Sequence, residues 1–265
     1  MRKYHFLISA IALVSTVFLS SCEKEDEVDP SQPVITLSTD KFTGKSGQEL
    51  SVTVNITAPN GISALIITKG VNLQPDNTFG TNGQMKIAAA TGTSFVYVFK
   101  YILSPDEVDK LVGFNFRVED TKGLAAEKDF TLNTTVSGAQ LLYTYRWNLK
   151  SKMWQKNPPT EDIQVCEKDD AYLFARDSSL VLDYGAAGCT FDGFNVYDKW
   201  TLSPDEKVLT IIYHNVFNPT QITTDVYNVT TLTKDKLVMD IAYDLTVFGL
   251  SDHEVFAFTF EATPR

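Results

Sequence analysis

From Val34 to the C-terminus the chain repeats one pattern. Short runs rich in Val, Ile, Thr, Phe and Tyr, many alternating apolar with polar, are broken by Gly, Asn, Asp and Pro. Alternation with a period of two places every second side chain on one face of a strand, so the runs specify sheets with a buried face and exclude a helical bundle. Residues 34–37, 50–57, 62–68, 95–101, 114–120 and 130–132 read as strands, with a turn at Ala58-Pro59-Asn60-Gly61. Strand density of this order over about 100 residues predicts a β-sandwich. Residues 103–111 predict one short helix across its end, with Ser104 as N-cap, Pro105 at the first helical position and Glu107 at the third. A boundary falls near residues 137–140. Beyond it, residues 141–149, 171–175, 179–182, 195–202, 208–213, 223–232, 237–247 and 254–262 read as successive antiparallel strands, a meander that favours an up-and-down barrel. The fold class is therefore all-β, a sandwich over 34–137 followed by an antiparallel barrel over 141–265.

Charge narrows the partners. With 33 Asp and Glu against 23 Lys and Arg, the chain carries a net charge of −10, so a phosphate backbone would meet a repulsive field and no nucleic-acid partner is expected. Three His and three Cys leave few groups for metal ligation, nucleophilic attack or proton shuttling. Gly-x-Ser-x-Gly, His-Glu-x-x-His and a phosphate-cradling glycine loop are all missing from the sequence, so neither catalysis nor a cofactor is expected. Asp169-Asp170 lacks the acidic ladder of a calcium loop and reads as a solvated turn.

The N-terminus reads as an address. Arg2 and Lys3 precede an apolar run over residues 6–19 that is too short for a bilayer span, followed by Leu19-Ser20-Ser21-Cys22. This resembles the signal and lipobox of bacterial lipoproteins, which implies cleavage after residue 21 and acylation of Cys22; an ordinary signal peptide with a chance Cys is the alternative. Residues 22–33, dense in acid and holding two prolines, form a solvated tether. Glu23-Lys24-Glu25-Asp26-Glu27 resembles the export signal of surface lipoproteins from the Bacteroidetes, which implies the outer face of the outer membrane; a charged spacer without a sorting role is the plainer reading.

Two further resemblances cover the body. Phe116-Arg117-Val118-Glu119-Asp120-Thr121-Lys122-Gly123 resembles the penultimate strand and hairpin of bacterial immunoglobulin-like and PKD-like modules, which implies a spacer or docking domain over residues 33–136. Cys166-Glu167-Lys168-Asp169-Asp170-Ala171-Tyr172-Leu173-Phe174, with Asp183-Tyr184-Gly185, Cys189, Trp200-Thr201-Leu202-Ser203 and Leu209-Thr210, resembles the lipocalin-like domain of Bacteroidetes lipoproteins. That likeness implies a small barrel with a tethering disulfide near one end. The family opens its first strand with Gly, any residue, Trp; here Tyr145 stands in the Gly position before Trp147, and Asp198 stands likewise before Trp200. With Cys22 lipidated, Cys166 and Cys189 are the thiols that remain in an exported chain and pair as a disulfide, free thiols or metal ligation being the alternatives.

Aromatic residues crowd the first half of the second domain. Trp147 and Trp200 read as core. Trp154, in the basic Pro-ended segment 150–159, and the neighbouring Tyr143 and Tyr145 are the candidate ligand contacts. The function expected is a non-catalytic outer-membrane surface lipoprotein whose barrel binds a small apolar or amphipathic ligand or a glycan; the alternative is a scaffold subunit of a surface protein complex. Cys22→Ala is expected to abolish incorporation of radiolabelled fatty acid in growing cells, and labelling that survives the substitution would remove the anchor.

Overall fold

The computed structural model describes residues 31–88 and 90–265; the segment read as a signal, Cys22 and most of the segment read as a tether lie outside the described residues. The chain is all-β, a sandwich followed by a nearly closed barrel. The sandwich holds β1 (Val34–Leu37), β2 (Lys41–Lys45), β3 (Glu49–Thr57), β4 (Ile62–Val71), β5 (Gln74–Pro75), β6 (Gln84–Ile87), β7 (Ser94–Ile102), β8 (Val112–Asp120) and β9 (Ala125–Thr135). One sheet runs β1-β3-β7; the other runs β2-β9-β8-β4-β5, with β6 also on β4. Alternation does what the pattern predicts: Val52, Val54 and Ile56 of β3 face Phe114, Phe116 and Val118 of β8 across one core. Phe99 of β7 knits the layers, its ring 5.0 Å from Phe114 and 5.4 Å from Phe116.

The short helix expected over 103–111 is a single 3₁₀ turn, Pro105–Glu107. Its capping box forms as read, Ser104 and Glu107 bonding each other's backbone. The helix stops because Val108 is extended and Asp109 is left-handed at φ 61°. Glu107 has a second task that alternation does not reveal. It is 3% exposed, pairs with Lys69 and accepts from the Tyr101 hydroxyl, while Lys69 Nζ also reaches Asp76 at 2.9 Å. Burial by itself would lower Lys69, but bonds to Glu107, Tyr101 and Asp76 outweigh it and hold the ammonium above its ordinary range. Burial, then the bond to Glu107, pushes Tyr101 up to about 12.

Between the units lies α1 (Gly138–Thr144), where a strand from 141 was expected. Ser137 caps it through Gln140 N, and Glu206 Oε1 accepts from Gly138 N at 2.7 Å. A Cβ at 138 would come within 2.9–3.0 Å of the Leu202, Glu206 and Leu232 side chains, so a larger residue would push them aside. The same Glu206 pairs with Lys45 at 2.6 Å, and Ser46 Oγ donates to Gln140 Oε1 at 2.7 Å, which ties the sandwich to the helix.

The barrel then follows: β10 (Tyr145–Trp154), β11 (Thr160–Glu161), β12 (Ala171–Phe174), β13 (Leu180–Asp183), β14 (Asn195–Leu202), β15 (Val208–Asn215), β16 (Asn218–Leu232), β17 (Lys236–Tyr243) and β18 (Glu254–Pro264). Its order is β13-β12-β10-β18-β17-β16-β15-β14, with β11 on β10. The strand expected to reach 247 ends at Tyr243 and passes into a 3₁₀ turn. Both tryptophans read as core are core, Trp147 fully buried and Trp200 nearly so. Trp147 Nε1 donates to Leu142 O at 2.9 Å and so fastens α1 across one end of the barrel. No helix among the described residues is long and apolar enough to cross a membrane.

Removing Glu107 leaves buried Lys69 with Asp76 as its remaining carboxylate and takes the acceptor from the Tyr101 hydroxyl and Ser104 N. Glu107→Ala is therefore expected to lower stability by about 2–3 kcal/mol in urea denaturation; a loss below about 1 kcal/mol, the range of surface pairs, would contradict the burial.

Candidate functional site

The end of the barrel away from α1 is open. Two β-bulges decide which side chains line it. In β10 the register shifts between Leu149 and Ser151, so Trp147 and Leu149 point inward opposite Ala262 and Phe260, and past the bulge Lys152 and Trp154 take that face opposite Phe258 and Phe256. Strict alternation from Trp147 would have turned Ser151 and Met153 inward. In β14 the shift between Tyr197 and Lys199 sets Tyr197 opposite Tyr213 and Trp200 opposite Ile211. Asp198 then meets His214 Nδ1 at 2.8 Å.

The result is a cavity of about 390 Å³ with an unusual wall. Tyr172, Tyr197, Tyr213, Tyr227 and Tyr243 surround Asp225, with Phe256 and Phe258 behind them and Lys152, Glu167 and Asp162 at one side. Asp225 Oδ2 accepts from the hydroxyls of Tyr227 and Tyr243, each at 3.3 Å. Burial pushes the Asp225 carboxyl up, against the opposing pull of hydrogen bonds from Tyr227, Tyr243 and Tyr213. Burial likewise raises all five tyrosines, so their hydroxyls keep their protons at neutral pH. Lys152 Nζ is engaged by Glu167 at 2.8 Å and Asp162 at 3.5 Å. A larger concavity of about 670 Å³ lies on the sandwich; its Lys69 is paired with Glu107 and Asp76, and its exposed Asp129 accepts from the Asn115 amide. In the barrel mouth a half-buried carboxylate, Asp225, has no cationic partner among the described residues.

The residues singled out from sequence fall elsewhere. Trp154 ends β10 and does not sit in a loop; its ring stacks on Phe256 at 5.8 Å, its Nε1 donates to Glu254 at 2.7 Å, and Lys156 lies over its face. It adjoins the cavity only through Phe256. Tyr143, on α1 beneath Arg176, and Tyr145, edge-on to Trp147, belong to the opposite, closed end. The tyrosines that line the mouth come from five strands spread over residues 172–243, and no local motif marks them.

Near the mouth, Cys166 and Cys189 form a disulfide across 23 positions, joining the segment before β12 to the β13–β14 connection. A cross-link closing a loop of this size contributes about 3 kcal/mol. Asp169-Asp170 beneath it is not the solvated turn expected. Asp169 Oδ2 accepts from Ala186 and Ala187 N, and Gly185 is required because a side chain there would strike Asp169. Asp170 is 6% exposed, and its Oδ1 lacks a hydrogen-bond partner. Burial, then the like charges of Asp192, Asp169, Glu167 and Asp183, pushes it up to about 6. Among the described residues no group of three or more His, Cys, Asp or Glu could hold a metal ion.

Comparison with protein families and with curated proteins finds no match. Among solved structures, the chain is similar to the sporulation control protein Spo0M of Bacillus subtilis at 10% identity, covering 87% of this chain and 89% of that one with a TM-score of 0.27. It is also similar to a DUF4466 family protein from Parabacteroides merdae at 11% identity, covering 87% and 98% with a TM-score of 0.32.

Burial of Asp170 makes stability depend on pH. The fold prefers its protonated form, so stability is full below the unfolded carboxyl pKa and declines as pH rises toward 6. Asp170→Asn is expected to be more stable than wild type at pH 7, by up to about 3 kcal/mol, and equal to it near pH 3.5, in paired urea titrations. An unchanged difference at the two pH values would remove the buried carboxyl from the account.

Proposed function

We propose that this chain is a non-catalytic outer-membrane surface lipoprotein, held by acylated Cys22 on its acidic tether, whose lipocalin-like barrel captures a small amphipathic ligand in its mouth. The observation that carries the reading is the cavity of about 390 Å³ walled by five tyrosines around Asp225. Pockets of this size, mostly aromatic with a few convergent polar groups, suit small molecules. A wholly apolar ligand fits poorly, because it would cover the Asp225 carboxylate without offering it a donor. The mouth-end connections add an apolar rim: Phe191, Phe217, Val247 and Phe248 are each more than 70% exposed. A polar head inside and an apolar portion across the rim would use both surfaces. The immunoglobulin-like domain then acts as a spacer between tether and barrel.

The same rim favours the second reading, a scaffold subunit of a surface complex, because exposed aromatics also serve as protein contacts. The readings separate at Asn195, which lines the cavity. A ligand at about 100 times its dissociation constant adds about 2.7 kcal/mol to stability, a melting shift of several degrees. Compounds that raise the melting temperature of wild type are expected to lose that effect on Asn195→Trp, which fills the mouth. If cationic, neutral and anionic amphiphiles all leave the wild-type melting temperature in place, the scaffold reading leads.

A further inference from the structure

The charges around the cavity do not balance. Its lining holds one cation, Lys152, and three carboxylates, Asp162, Glu167 and Asp225. Lys152 already pairs with Glu167 and Asp162. Asp225 is left half-buried with no ion pair among the described residues; its partners are tyrosine hydroxyls at 3.3 Å, long for O–H···O contacts that favour about 2.7 Å. A carboxylate in such a place is costly unless a stronger donor meets it.

Donor and acceptor accounting identifies that donor. The Tyr227 and Tyr243 protons point at Asp225, so the oxygen lone pairs of those hydroxyls, with the carboxylate itself, are what the site offers inward. Such a site wants a ligand rich in donors and poor in acceptors. An ammonium carries donors alone, makes charge-assisted bonds to a carboxylate near 2.8 Å, and is attracted to the faces of aromatic rings. Rings flank the carboxylate from several strands: Tyr197 against Tyr213 at 5.5 Å, Tyr227 against Phe258 at 5.9 Å and Tyr243 against Phe256 at 6.0 Å. An anionic head would instead face three like charges.

We propose that the cavity takes a small organic ammonium, with the Asp225 carboxylate as its counter-ion and the tyrosine rings as its walls. This rests on the capture function above and names its ligand class. The probes are phenethylammonium, 2-phenylethanol and phenylacetate, which share a ring and differ in the head group, titrated by calorimetry into the full chain. The ammonium is expected to bind at least about 10-fold more tightly than the alcohol, as a charge-assisted bond replaces a neutral one, and the carboxylate not at all. Asp225→Asn, nearly isosteric, is expected to weaken the ammonium by about 10- to 100-fold and to leave the alcohol within about 3-fold. Lys152→Met removes the competing cation and is expected to tighten the ammonium by about 2- to 5-fold. Equal affinities for ammonium and alcohol, both lost in Asn195→Trp, would overturn the cation while leaving capture in place. Binding of none of the three probes, or ammonium binding indifferent to both Asp225→Asn and Asn195→Trp, would overturn the cation together with its site.

Discussion

Trp200 donates twice across the gap where the barrel sheet begins and ends. Its backbone N–H reaches Ser178 O at 2.9 Å and its indole reaches Ala175 O at 3.1 Å, both in the turn between β12 and β13. β13 and β14 are the terminal strands of the sheet order, and no ladder joins them. Left apart, they would present two rows of unpaired backbone groups to solvent and to other chains. The indole seals that seam and sets its ring edge-on to Phe174 at 5.4 Å, so closure and core packing are one interaction. A cavity, a rim and an interior all presuppose it.

Closure also explains why the polar groups lie where they do. At the end covered by α1 the interior is apolar, filled by Trp147, Leu209, Leu237 and Phe260. Toward the mouth the wall changes to tyrosine, lysine and aspartate, whose polar ends meet one another around Asp225 and Lys152. The disulfide and Asp169 secure the connections that frame this polar end, Asp169 by holding the backbone of Ala186 and Ala187. Rigid framing matters because a carboxylate selects a head group only if its surroundings cannot relax around the wrong one.

The sandwich uses a different economy. Its buried Lys69 is neutralised on the spot by Glu107 and Asp76, and its buried Asp120 accepts from the Asn60 amide and the Lys122 and Leu124 backbone at 2.7–2.9 Å, whereas Asp225 of the barrel has two tyrosine hydroxyls at 3.3 Å. Glu206 serves two neighbours at once, capping α1 and pairing with Lys45, and therefore couples the orientation of the helix to the sandwich.

Much of this was legible in the residues. Period-two alternation settled the all-β class, the order of most strands and the burial of Trp147 and Trp200, because a strand's inward face is a local property. The capping box at Ser104 and Glu107 was legible for the same reason, while the one-turn length was not, since Asp109 takes a left-handed conformation that no pattern announces. Residues 141–144 looked like strand but became helix because Ser137 and Glu206, distant in sequence, cap that turn together. Trp154, Tyr143 and Tyr145 drew notice by clustering along the chain, yet the mouth is assembled by register across strands. Two bulges, each an insertion that leaves composition untouched, turned Lys152 inward and set Tyr197 against Tyr213. The sequence by itself determined the sheets and most of their buried faces; only the tertiary structure decided which tyrosines meet around Asp225, because that depends on where a nearly closed sheet slips by one residue.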